Sequence, residues 1–421
     1  MDDFGVQNKK FKPMPIHKQI PLLKDHHTHP FMFALLSHCI NLSATKSKAE
    51  ALSMIKKGRA NINIILGWNN SWYSFNPNEL ESLPPVLICN TSFHRFLINR
   101  TATEKLGDAD KTILRHLDDE RWVEKNLHNI QKVILNLCPY SPAQIDHFYH
   151  YLLQQGIWSG EEMLLPNEAV LLMYQELGYL DRTRCWTDIE TFQTLSESAQ
   201  QQIYGIKLFV DGALGSETAA LKTPYLTTGK PGILVYSDKE LALLIGKVVQ
   251  LKKALAFHAI GDRATAQIIR ILTQINQEHS KIPPTRIEHS QFISFNEAKI
   301  AQQLGVILSM QPNFSFDSIQ YQDRLATEYC RKNNPFRKLI DEIGFVPGEN
   351  LYFGSDGMPH GVQNALESAL FPPFPEQVLT LDEFVAGYCM SDKKHGYIEV
   401  TIDDKKHTIS TIVTICENLK C

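Results

Sequence analysis

The stretch Pro21-Leu22-Leu23-Lys24-Asp25-His26-His27-Thr28-His29 joins a short apolar run to a histidine pair spaced by one residue. In extended backbone, residues i and i+2 project to the same face, so the imidazoles of His27 and His29 can reach one cation. His26 falls on the other face and reads as a packed or solvated histidine. A lone His-x-His is a weak signal. Its weight comes from single ligand-type residues far downstream, each ending another strand-like segment.

Outward from this stretch, short apolar segments alternate with longer helical patterns, which predicts parallel strands joined by helical crossovers. Eight strand candidates fall at residues 21–29, 155–159, 184–187, 205–210, 254–258, 286–289, 305–309 and 351–356. Apolar residues at three- and four-residue spacing predict helices over 238–252 and 264–277. Eight parallel strands with intervening helices is the count of an α/β TIM (β/α)8 barrel, expected here over residues 22–372. An N-terminal segment, 1–21, precedes it. A C-terminal helix near 381–388 and a short β tail make up 373–421.

A long insertion after the first strand, approximately 58–135, does not fit a minimal barrel. It holds apolar runs at 62–68 and 85–89 and then polar helical sequence. Long insertions after barrel strands lie at the catalytic face, so the aromatic tip Trp68-Asn69-Asn70-Ser71-Trp72-Tyr73 and His94 are candidates for a substrate pocket. Packing of the insert itself is the competing role for these aromatics.

The chain of 421 residues is long enough to bury a large core, and 43% hydrophobic with 21% charged residues is ordinary for a globular protein. A net charge of −4 offers no electrostatic case for nucleic acid or an anionic membrane. A small molecule is the expected partner, with a homodimer left open. Eight cysteines without a Cys-x-x-Cys pair read as reduced, mostly buried thiols. The first residues lack a signal-peptide pattern and no apolar run is long enough to span a bilayer, so a cytoplasmic location is expected.

Ligand-type residues fall at the carboxyl ends of five candidate strands, where a barrel collects its catalytic groups: His27 and His29, Lys207, His258, His289 and Asp356. Lys207 is the sharpest of them. It lies inside Ile206-Lys207-Leu208-Phe209-Val210, where an inward ammonium would suffer a large desolvation penalty. A neutral amine there can capture carbon dioxide as a carbamate, an anionic ligand with two oxygens that could bridge two cations. The competing reading is a lysine that points outward or pairs with a carboxylate such as Asp211. Asp356 suits a metal and a proton, and equally suits a helix N-cap or turn before Gly357.

Five segments, in this order, resemble the amidohydrolase superfamily and, more narrowly, its YtcJ-like branch of metal-dependent hydrolases (the amidohydrolase 3 type). They are Asp25-His26-His27-Thr28-His29-Pro30; residues 206–216, Ile-Lys-Leu-Phe-Val-Asp-Gly-Ala-Leu-Gly-Ser; His258-Ala259-Ile260-Gly261-Asp262-Arg263-Ala264; Ile287-Glu288-His289-Ser290-Gln291; and Gly354-Ser355-Asp356. The resemblance implies one metal on His27, His29 and Asp356 and a second on His258 and His289. A carboxylated Lys207 and a hydroxide would bridge the two. It further implies attack of that hydroxide on a polarised carbonyl, with Asp356 carrying the proton to a leaving amine, so that Asp356 and Lys207 are the catalytic residues. Two zinc ions are the expected cofactors, other divalent metals remaining open, with carbon dioxide needed for Lys207. Trp68, His94, Asp211, Asp262 and Arg263 are the substrate-pocket candidates.

Family members also carry a small β-sandwich built from both chain ends, of which at most a remnant is expected here. The expected reaction is hydrolysis of a non-peptide carbon–nitrogen bond in an amide or formamide-like substrate. Two other readings stand beside it: a one-metal hydrolase of deaminase-like or esterase-like chemistry, and a catalytically silent binding or regulatory protein on the same fold.

Overall fold

The computed structural model describes residues 15–278 and 282–416. Strand β1 (Ile16–Pro21) leads into β2 (Leu23–Thr28), which is buried along nearly its whole length and is the first strand of the central sheet. The chain then leaves that sheet and builds a lobe from β3 (Ile40–Asn41), β4 (Asn63–Trp68), β5 (Val86–Asn90) and β6 (Phe96–Ile98). These four lie side by side in chain order, with β3, β4 and β5 parallel and β6 antiparallel to β5. The lobe sheet therefore begins at Ile40, ahead of residue 58, because a two-residue strand leaves no periodic trace in a sequence.

The chain returns to the central sheet with β7 (Ile157–Glu162), β8 (Thr183–Thr187), β9 (Ile203–Phe209), β10 (Ala254–Ala259), β11 (Thr285–His289), β12 (Ile307–Met310) and β13 (Leu351–Phe353). Together with β2 they form eight parallel strands ordered β13-β12-β11-β10-β9-β8-β7-β2. Strands buried on both faces read as continuous apolar runs, as in the fully buried Ala254-Leu255-Ala256-Phe257-His258-Ala259. The ring closes where β13 ends beside β2. The Asp356 N–H donates to the His27 carbonyl at 2.7 Å, and the Ser355 N–H and hydroxyl donate to the Asp25 carboxylate at 2.9 and 2.5 Å. A Cβ on Gly354 would collide with the His27 backbone nitrogen, so this closure needs glycine. The result is a TIM barrel.

The expected helices are present as Asp238–Leu251 and Asp262–Gln277. The first starts at a capping box in which Ser237 and Glu240 satisfy each other's backbone N–H, and stops where Lys252 turns left-handed (φ 56°). Finally β14 (Gly396–Asp403) pairs antiparallel with both β1 and β15 (Thr408–Ile415), so the two chain ends share one three-stranded sheet. In β14 every second residue is buried, as the alternation Tyr397-Ile398-Glu399-Val400-Thr401-Ile402 requires. This small sheet is what stands in the place of the accessory sandwich. Among the described residues, seven cysteines are all free thiols and no helix is long and apolar enough to cross a membrane. Cys421 lies outside the described residues.

Candidate metal centre

At the carboxyl ends of the barrel strands, β2, β9, β10, β11 and the turn after β13 bring His27, His29, Lys207, His258, His289 and Asp356 to the floor of one cavity of about 840 Å³. The His27 ring centre lies 4.7 Å from that of His289 and 5.6 Å from that of His29, and His258 is 4.6 Å from His289. Asp356 Oδ1 sits 3.6 Å from His27 Nε2 and 3.5 Å from His29 Nε2. His289 and Asp356 leave their strands in left-handed backbone, with φ of 70° and 53°. Non-glycine residues seldom adopt that region, and such conformations concentrate at functional sites.

Three of the imidazoles are each anchored through one ring nitrogen. His27 Nδ1 donates to Glu288 Oε2 at 2.6 Å, His289 Nδ1 to Gln311 Oε1 at 2.7 Å, and His258 Nε2 to the Gly212 carbonyl at 3.1 Å. The other nitrogen of each ring keeps its lone pair, as a metal ligand must, and the anchoring acceptor fixes the ring's orientation. Burial, reinforced by Lys207 and the neighbouring imidazoles, holds all three well below the usual imidazole range and therefore neutral. Burial also raises Asp356 above the ordinary aspartate range, opposed by His29 and Lys207.

Lys207 is 2% exposed and points into this cluster. Burial lowers its ammonium to about 8, opposed by Glu288 and Asp356. Among the described residues no carboxylate comes within ion-pair distance of it. Asp211 is otherwise engaged: its carboxylate accepts the backbone N–H groups of Ala220, Ile260 and Gly261 at 2.9, 3.0 and 2.8 Å. The donor set thus fits a divalent cation: neutral imidazoles, a carboxylate, and a lysine without a counter-ion. The tightest grouping is His27, His289 and Asp356, whose ligand atoms all lie within 4.8 Å of one another. That places His289 with His27 as well as with His258, so the expected division of the histidines between two metals is less sharp in the structure.

Among the five pocket candidates the cavity wall takes His94 only. Its Nδ1 donates to Glu124 Oε2 at 2.8 Å, and its ring centre lies 5.5 Å from that of His258. Trp68 is instead part of the lobe's own core, its indole N–H donating to the Tyr73 carbonyl at 2.9 Å. Asp211 is a buried brace for the loops after β9 and β10. Asp262 accepts the Lys222 N–H at 2.7 Å and the Tyr329 hydroxyl at 2.8 Å, and Arg263 donates to the Pro231 carbonyl at 3.1 Å. These four are corrections: their polar groups are consumed in holding loops or core, not turned to the cavity.

Beneath the ligands lies a charged layer that the sequence reading assigned no role. Arg286 donates to Glu288 Oε1 (2.5 Å), Glu161 Oε2 (2.8 Å) and the His26 carbonyl (2.6 Å), and Trp186 Nε1 donates to Glu161 Oε2 (2.7 Å). Burial pushes Glu161 up, but Arg286, His26 and Arg184 outweigh it and hold the carboxyl at about 2. The available signal was the one used for Lys207: charged residues inside strand sequence, here Glu161 and Glu162 ending β7 and Arg286 and Glu288 within β11.

The amidohydrolase family model matches residues 20–367. Among curated proteins, the chain is 29% identical over 139 residues to the putative amidohydrolase YtcJ of Bacillus subtilis (strain 168), covering 32% of this chain and 26% of that protein. It is 30% identical over 349 residues to Protein LONG AFTER FAR-RED 3 of Arabidopsis thaliana, covering 71% and 59%. The aligned regions thus span about a quarter and under two thirds of these relatives. Crystal structures of uncharacterized metal-dependent hydrolases from Pyrococcus horikoshii OT3 and Pyrococcus furiosus each superpose with a TM-score of 0.61 at 22% identity. They cover 84% and 87% of this chain, and 74% and 80% of theirs, and they share its fold.

Proposed function

Because the chain belongs to the amidohydrolase family, we propose that it is a metal-dependent hydrolase acting on a non-peptide carbon–nitrogen bond of an amide or formamide-like substrate. The observation that carries this reading is the convergence of five strand ends on one cavity floor, each delivering a metal-ligating side chain with a free lone pair or an uncompensated charge. His27, His29, Asp356, His258 and His289 are the residues that would hold divalent metal, zinc being the first choice for imidazole and carboxylate. Bound there, the metal would polarise a carbonyl and lower the pKa of water.

The chain's own groups supply the rest. Glu288 and Gln311 hold His27 and His289 in the tautomers that present Nε2. Asp356, within 3.6 Å of two imidazole nitrogens, is placed to accept a proton from the attacking water and return it to the departing amine. Lys207, lacking a counter-ion, is the residue to carboxylate: the neutral amine adds carbon dioxide and gives up one proton, exchanging an ammonium for a two-oxygen anion between the two histidine groups. Apolar walls such as Phe33, Phe148 and Phe314 limit water in the cavity.

A screen of N-acyl amines, N-acyl amino acids and cyclic amides against metal-loaded protein tests the reading. Hydrolysis of at least one class, abolished by chelation and restored by metal, is the expected result; hydrolysis indifferent to the chelator overturns it. The compact triad His27, His289 and Asp356 favours a second reading, a one-metal hydrolase of deaminase-like or esterase-like chemistry. A stoichiometry near one and indifference to bicarbonate would select it.

A further inference from the structure

The cavity above the strand ends is lined largely by aromatic and neutral polar side chains. Among the described residues, its wall carries only three Asp, Glu, Lys or Arg side chains: Lys207, Asp356 and Asp317. The first two belong to the candidate metal centre. Asp317 does not. It sits where the turn Pro312–Phe316 passes into the short helix Asp317–Gln320, and its Oδ2 accepts one hydrogen bond, from Gln291 Nε2 at 2.9 Å.

No cation offsets this carboxylate. Burial pushes it up to about 7 and only the Gln291 amide opposes that rise. A partly buried carboxylate with one neutral donor is an unfavourable arrangement that a bound cation relieves. The surroundings suit such a cation. Phe314, Phe316 and Tyr321, on the same segment, line the same cavity, and the negative faces of aromatic rings attract ammonium and guanidinium groups. An anionic substituent finds no guanidinium on this wall and meets Asp317 instead.

We propose that Asp317 and its aromatic neighbours form a subsite for a positively charged substituent, so that the preferred substrate is an amide carrying an ammonium or amidinium-type group away from the scissile bond. This rests on the hydrolase reading above for the scissile bond alone; recognition of the charge is independent of it.

The test uses three series of equal chain length: mono-N-acetylated α,ω-diamines, N-acetyl alkylamines and N-acetyl ω-amino acids, which end in a cation, a methyl group and an anion. Binding is measured by calorimetry on the full chain stripped of metal, so that no probe is consumed, and kcat/KM on the metal-loaded protein. At the best chain length the cationic probe is expected to bind at least about tenfold more tightly than the neutral one, with the anionic one weakest. Asp317→Asn, which keeps an acceptor for Gln291, should remove the preference and leave neutral-probe affinity within about twofold.

Equal binding of cationic and neutral probes, no binding by any cationic probe, or a preference that survives Asp317→Asn overturns the proposal. The wild-type ranking decides the matter even if the variant fails to fold. Charge-ranked binding without turnover would contradict the hydrolase reading and leave the subsite standing, whereas turnover without charge ranking would do the reverse.

Discussion

Two charged layers lie one above the other inside the same barrel, and they are built in opposite ways. In the lower layer Arg286, Glu161, Glu288 and Trp186 satisfy one another through direct hydrogen bonds. In the upper layer the anchored imidazoles each spend one nitrogen on a protein acceptor and leave the other open, and Lys207 has no counter-ion among the described residues. Burial is nearly equal in the two. A buried polar network that closes on itself maintains the fold, whereas one that stays open is completed by something the chain does not encode. Glu288 joins them, paired with Arg286 below and His27 above.

The contrast predicts how each layer fails. Arg286→Met should cost about 3–5 kcal/mol in denaturant unfolding, because it strands the Glu161 and Glu288 carboxylates in the interior. A loss under about 1 kcal/mol would mean that the lower layer is not holding the barrel. Gln311→Leu, which removes only the anchor of His289, should weaken metal affinity by about 10- to 100-fold in competition with a chromophoric chelator. Unchanged affinity would show that His289 is oriented by its backbone alone.

The smallest effect is in the pH response. His360, buried against the Thr28 hydroxyl at 2.7 Å, is pushed by burial from the ordinary imidazole value down to about 3. Its neutral form is the one the fold accepts. The associated stability is therefore complete above about pH 6.5 and lost as pH falls toward 3, at about 1.4 kcal/mol per pH unit. His360→Asn should flatten that part of the stability curve relative to wild type. Parallel curves for the two proteins between pH 6 and 4 would contradict this assignment.

How much of this could be read from the sequence follows the same division. The barrel was legible because strands buried on both faces are continuous apolar runs, and the upper layer because His27, His29, Lys207, His258, His289 and Asp356 stand out at their ends. The lower layer was harder to see. Arg286 and Glu288 sit in a quoted strand, but pairing between β7 and β11 is a property of barrel closure, with Glu161 and Arg286 125 residues apart. Asp211, Asp262, Arg263 and Trp68 were placed in the pocket because they neighbour ligand motifs or an aromatic tip. Sequence proximity does not reveal that Asp211 turns to three backbone N–H groups or that Trp68 faces the lobe's core. Asp317, by contrast, lies in no motif at all; only the cavity identifies it.

The central claim is that the upper layer is completed by divalent metal, and the metal content of full-length protein purified without chelator tests it most directly. The account predicts about two ions per chain in the wild type, falling to one or fewer in Lys207→Ala, with the fold retained. A wild-type protein that is folded yet holds no stoichiometric divalent metal, even after incubation with zinc and bicarbonate, would contradict it.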